Sequence, residues 1–118
     1  MNRKYRLTRS SDIQRVRRSG KSFAHPLLVL IVEYSNEDEP FKAAFLASKS
    51  LGIAVSRNRA KRVLREAFTR HIEGIKPGVN VLVIARAGLI NSPFTEIEGA
   101  LQQVLNRARI INNNDPAN

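Results

Sequence analysis

Cysteine is absent from all 118 residues, which excludes a disulfide framework, a thiolate metal site and a cysteine nucleophile. Histidine is scarce, with two copies, and acids number only 10 against 20 lysines and arginines. Long apolar runs are missing too. The longest, Leu27 to Val32, has six residues, far short of the roughly 20 that cross a bilayer as a helix. The basic start (Arg3, Lys4, Arg6, Arg9) is not followed by a signal-type apolar stretch, because Asp12, Gln14, Arg15, Arg17 and Arg18 interrupt it. No glycine-rich loop ends in Lys-Ser or Lys-Thr, so the usual nucleotide-phosphate cradle is missing. These absences predict a soluble cytoplasmic protein with no membrane partner.

What is present is a moderate apolar content and much positive charge. At 42% hydrophobic residues a chain of this length buries roughly two-thirds of its unfolded surface. One domain over residues 1–111 is expected, followed by a disordered polar tail at 112–118. The net charge is +10 and the pI about 11.1, which makes a polyanion the first partner to consider. The charge is also segregated. Residues 3–21 and 49–70 together hold fifteen bases against Asp12 and Glu66, a balance of +13; the rest holds five bases and eight acids, −3. Two cationic segments in a mildly acidic chain have the pattern of a phosphate-backbone footprint.

Hydrophobic spacing gives a coarse order of elements. Ser11, with Gln14 three residues on, is expected to cap a short helix that carries Ile13 and Val16 and stops at Gly20. Phe23 to Tyr34 reads as a strand made irregular by Pro26, or as two strands broken there. A turn at Ser35–Pro40 leads to a strand over Phe41–Ser48, expected to pair antiparallel with the preceding one. A helix follows from about Arg57 to Glu73, with Ala60, Val63, Leu64, Ala67, Phe68 and His71 on its apolar stripe. Pro77 and Gly78 precede a strand at Val79–Ala85. Ser92 and Pro93 then start a last helix whose apolar face is Phe94, Ile97, Leu101, Val104, Leu105 and Ala108. The expected class is α/β, or α+β: a two-layer sandwich with one sheet of about four strands packed by helices. The strand-helix-strand unit over 41–85 should have parallel strands, and the general rule would make its crossover right-handed.

The informative stretch is Leu51 to Phe68, LGIAVSRNRAKRVLREAF. Its bases lie three and four apart, about 6 Å between neighbours on a helix, comparable with the spacing of phosphates along a strand. Arginine offers a planar fork for bidentate phosphate contact, and lysine a compact charge. Asn58 can both donate and accept, as a base edge or a 2′-hydroxyl requires. A basic face alone serves DNA, RNA or anionic lipid alike.

Lys49, Gly52, Ala54 and Val55 running into Arg57-Asn58-Arg59, then Lys61, Arg62, Arg65 and Glu66, closely resemble the signature of the protein subunit of bacterial ribonuclease P. The likeness extends along nearly the whole chain, because the remaining elements come in that family's order. It implies a left-handed strand-helix-strand crossover, against the general rule. It also implies a catalytic RNA partner with which the protein removes the 5′ leader of precursor tRNA. The RNA subunit would perform the hydrolysis, with divalent metal such as magnesium held mainly by the RNA; no cofactor of the protein alone and no obligatory protein partner are implied. By position, Lys49, Arg57, Asn58, Arg59, Lys61, Arg62 and Arg65 become RNA contacts. The leader cleft would involve Ile13, Arg17, Ile31 and the exposed side of Leu46 to Ser48. Family members commonly carry aromatics where Ile13, Arg17 and Ile31 stand here, so leader capture should lean on apolar contact, the Arg17 guanidinium plane and charge. Phe23 is a candidate substitute ring, or a core residue at a strand start.

A protein nuclease needs paired metal-holding acids or a placed general acid and base. Asp12 and Glu66 read as counter-charges on helices, Glu37-Asp38-Glu39 as a solvated hairpin tip, and His71 as a packed helix residue. No catalytic residue is therefore expected in the protein. The competing readings are a structural RNA-binding protein and a protein-only nuclease.

Overall fold

The computed structural model describes residues 1–35 and 38–111; part of the expected turn at Ser35–Pro40, including Glu37 of the acidic cluster, and the tail at 112–118 lie outside them. Four strands form one sheet: β1 (Lys21–Ala24), β2 (Leu28–Tyr34), β3 (Lys42–Ala47) and β4 (Val79–Ala85), in the order β1-β2-β4-β3. Three α-helices accompany them: α1 (Ser10–Ser19), α2 (Ala54–Thr69) and α3 (Phe94–Arg107). The chain is thus α+β, with the four strands expected. Pro26 does break the first long apolar run into two strands, and β1 folds back antiparallel on β2, pairing Phe23 with Leu30.

β3 departs from the expected pairing. It is not hydrogen-bonded to β2; β4 lies between them, antiparallel to β2 and parallel to β3. The physical reason is burial. Val79, Val81, Leu82, Val83 and Ala85 are all buried, and a strand apolar on both faces belongs in the middle of a sheet. The other edge of β3 is covered by the N-terminal arm, where Leu7 N–H donates to the Ala43 carbonyl at 2.9 Å. The ring of Tyr5 stacks on Phe41 there, centroids 4.4 Å apart and 4° from parallel. An edge strand covered in this way has fewer free backbone groups to offer another chain.

Alternation along the strands divides the interior in two. Leu30, Val32, Phe45, Val81 and Val83 face α2 and α3 and pack with Leu64, Phe68, Leu101 and Leu105 in the main core. Ile31, Ala44 and Leu82 point the other way and are covered by Val16 of α1 and by Leu7. Sheet plus α2 and α3 carries most of the buried surface, and α1 forms a thinner cover on the opposite side.

Three helix boundaries differ from the expected ones. α1 starts at Ser10 behind an extended Arg9, whose carbonyl accepts from the Ile13 N–H at 3.0 Å, with no side-chain cap from Ser11. α2 begins at Ala54, three residues early, because Gly52 at φ 88° turns the chain directly into it, and it ends at Thr69. Residues Ile72–Gly74 form a separate 3-10 turn. At α3, Ser92 gives its hydroxyl hydrogen bond back to the Gly88 carbonyl at 3.0 Å, so Pro93 precedes the helix without a side-chain cap.

Candidate nucleic-acid interface

The sheet face under α1 is not fully covered. α1 buries only Val16 completely, and beyond it the sheet continues as the floor of an open groove of about 870 Å³. Val29 and Ile31 of β2, Leu46 of β3 and Ile84 of β4 make the floor apolar. Arg17 from α1, Lys49 from the approach to α2, Arg57 from its first turn, and Arg86 just after β4 line the same groove, with Ser48. The strand period explains the floor, since Val29 and Ile31, Ala44 and Leu46, and Leu82 and Ile84 all fall on one face. A groove with an apolar floor and four bases around it fits a flexible polyanion whose uncharged parts can lie flat.

Of the candidate cleft residues, Arg17, Ile31, Leu46 and Ser48 are brought together here. Ile13 lies in an adjoining depression of about 210 Å³ with Arg6 and Arg65, and Leu46 lines both. Phe23 is a correction. It sits on the opposite sheet face, 7% exposed within the main core, because its register with Leu30 points it toward α3. No ring replaces the missing aromatics on the groove floor. Val29, Ile84 and Arg86 are lining residues that sequence reasoning missed. Alternation within Val79–Ala85 could have assigned Ile84 to this face, but nothing local marks Arg86.

The remaining cations fan over the side of α2 away from the core. Arg57, Lys61 and Arg65 form a half-buried row at spacing four, while Asn58, Arg59 and Arg62 are exposed beside it. Arg65 also lies over the Phe45 ring, 5.6 Å from its centroid, which holds its stem against the sheet edge. Among the described residues the ion pairs are Arg15 with Asp12 and Glu33, and Arg70 with Glu98. None involves Lys49, Arg57, Arg59, Lys61, Arg62 or Arg65. These charges are therefore available to an external anion.

His71 is half-buried just past α2, and its Nε2 is enclosed with no hydrogen-bond partner among the described residues. Burial pushes its pKa below the ordinary 6.5, against the opposing pull of Glu98. It stands outside the groove lining, and it corrects the expected apolar stripe: α2 ends at Thr69, so His71 packs from the turn beyond the helix and not from the helix itself. Among the described residues no three acidic or histidine side chains stand close enough to hold a metal ion, and no helix is long and apolar enough to cross a membrane.

Comparison with known proteins gives a consistent result. The family model Ribonuclease P matches residues 1–109. The ribonuclease P protein component of Herpetosiphon aurantiacus is 38% identical over 110 residues, 93% of this chain and 89% of the relative. That of Staphylococcus haemolyticus is 38% identical over 112 residues, 95% and 96% of the two chains. The solved RNase P protein of Staphylococcus aureus superposes with a TM-score of 0.79 at 33% identity, covering 92% of this chain and 98% of the other. The RNase P protein of Thermotoga maritima gives 0.75 at 26% identity, covering 86% and 96%.

Proposed function

The chain belongs to the bacterial ribonuclease P protein family, and from that premise we propose that it binds the catalytic RNA through α2 and the 5′ leader of precursor tRNA in the groove beneath α1. Members are the protein component of an endoribonuclease complex that acts in tRNA processing, with RNA as the partner subunit. The observation that carries the finer reading is the groove itself. Its apolar floor of Val29, Ile31, Leu46 and Ile84 is bordered by Arg17, Lys49, Arg57 and Arg86, next to a helix whose bases have no acidic partner among the described residues.

In this reading the leader's phosphates meet the bordering guanidinium and ammonium groups, and its bases lie on the aliphatic floor. Arg57 and Lys49 stand where the groove meets α2, so one end of the leader would reach the RNA-bound face directly. Asn58, Arg59, Lys61, Arg62 and Arg65 hold the RNA. The cleavage is then performed by the RNA, with magnesium or another divalent ion held mainly by RNA oxygens. The protein's part is to neutralise phosphate repulsion and keep the leader extended. Base stacking on aromatic rings contributes about 1–3 kcal/mol per base. An aliphatic floor lacks that contribution, so leader binding should show weak base preference and strong salt dependence. On the same reading the protein works in the cytoplasm, with the precursor tRNA it helps to process.

Reconstitution with a bacterial ribonuclease P RNA at low magnesium tests this reading. Protein and RNA together should cleave precursor tRNA where neither does alone. The protein should also raise affinity for precursor over mature tRNA, and Arg17→Ala should reduce that preference. Equal enhancement for precursor and mature tRNA would remove the leader from the groove. Cleavage by the protein free of nucleic acid would overturn the assignment of chemistry to RNA.

A further inference from the structure

A second concave site lies on the other side of α2, away from the groove. It has a volume of about 200 Å³ between α2, the 3-10 turn at Ala87–Asn91 and the start of α3. Val63, Ile90, Phe94 and Ile97 supply apolar walls, and Arg59 and Ser92 bring the polar groups. Ile90 is 40% exposed, large for an isoleucine beside a core. The Ser92 hydroxyl proton is committed to the Gly88 carbonyl, which leaves its oxygen to accept. Arg59 has no ion-pair partner among the described residues, so its planar fork is free to donate or to stack.

We propose that this pocket receives one unstacked nucleobase of the RNA partner. The inference rests on the reading of α2 as the RNA-bound helix and assigns a base site to the flank of that helix. Three observations select the occupant. Pockets for drug-sized ligands span about 300–1,000 Å³, and this one is smaller, suited to a single ring system. Its walls are apolar, while Arg59 donates and Ser92 accepts, which matches a base with its mixed edge. Arg59 is also one of the unpaired cations beside the Arg57–Lys61–Arg65 row, so the entrance is complementary to a polyanion and not to an apolar peptide. Proteins that recognise RNA commonly take bases from loops and bulges against such apolar or guanidinium surfaces.

The test compares Ile90→Ala, Ile90→Val and Arg62→Ala with the parent, using a bacterial ribonuclease P RNA as the probe. Ile90→Ala should bind about tenfold more weakly, from the loss of buried apolar contact, with an unchanged dependence of affinity on salt because no phosphate contact is lost. Ile90→Val should restore most of the affinity. Dimethyl sulfate and carbodiimide probing should show one unpaired base protected by the parent and exposed with Ile90→Ala. Parent-like affinity for Ile90→Ala with unchanged base protection overturns the pocket assignment while leaving α2 as the RNA-bound helix. No loss with Arg62→Ala either would overturn that underlying reading as well. Self-association of the free parent that Ile90→Asp abolishes would give the pocket to a second copy of this chain, and the proposal would fail.

Discussion

Arg15 of α1 grips Glu33 of β2 through two parallel hydrogen bonds, Nε donating to Oε2 at 2.8 Å and Nη2 to Oε1 at 2.9 Å. Its Nη1 donates to Asp12 Oδ1 at 2.6 Å, and Asn80 of β4 donates to Glu33 Oε1 at 2.9 Å. One carboxylate thus joins α1, β2 and β4 on the side of the sheet that carries the groove. This fork is the most specific polar link between α1 and the sheet.

The Glu33 link gives a pH prediction. Hydrogen bonds from Arg15, and secondarily from Asn80, hold the Glu33 carboxyl below its ordinary 4.5, against the opposing effect of burial. Its stabilising contribution is therefore complete above that ordinary value and is lost as pH falls through the lower folded value. Glu33→Gln should lower the melting temperature at neutral pH and flatten its decline in acid. Thermal melts from about pH 7 to 3 check this linkage; identical acid profiles for variant and parent would show that the fork contributes nothing.

Gly20 offers a steric prediction. Its φ of −74° is open to any residue, yet a Cβ there would stand 2.5 Å from the Val16 carbonyl oxygen and 2.6 Å from Ile31 Cγ2. Gly20→Ala should therefore push α1 off Ile31 and destabilise by roughly 1–3 kcal/mol, as overpacking does. Urea titration measures the loss. Binding of leader-bearing RNA should fall with it, since Ile31 is part of the groove floor.

Phe68 tests the facing of α2. The side chain is fully buried, with the rings of Phe41 and Phe45 edge-on at 5.7 and 5.5 Å. Truncation to alanine should cost roughly 3–5 kcal/mol. Equal stability of Phe68→Ala and parent in chemical denaturation would contradict this packing.

On the opposite side of the same helix, Arg62 is exposed and without an ion pair among the described residues. Arg62→Ala should leave the melting temperature unchanged and weaken RNA binding. If it meets one phosphate, the slope of log affinity against log salt should fall by about one. Filter binding across a salt series reads both quantities, and a parent-like slope with parent-like affinity would exclude Arg62 from the interface.

Local sequence determined what repeats along the chain. The 3.6-residue spacing of Ala60, Val63, Leu64, Ala67 and Phe68 gave the buried side of α2, and that side also left the Arg57–Arg65 cations outward. Pro26 marked a break between two strands, and the charge of +10 marked a polyanion partner. Tertiary structure decided what depends on chain segments distant in sequence. β4 is inserted between β2 and β3, because a strand apolar on both faces is most stable at the centre of a sheet. That insertion brings Ile84 and Arg86 beside Ile31 and Leu46, and register turns Phe23 into the core. It also sets Asn80 against Glu33, where Arg15 completes the anchor for α1. Periodicity is a property of neighbours in sequence; a groove assembled from five elements, α1, α2, β2, β3 and β4, exists only once long-range pairing has chosen their order.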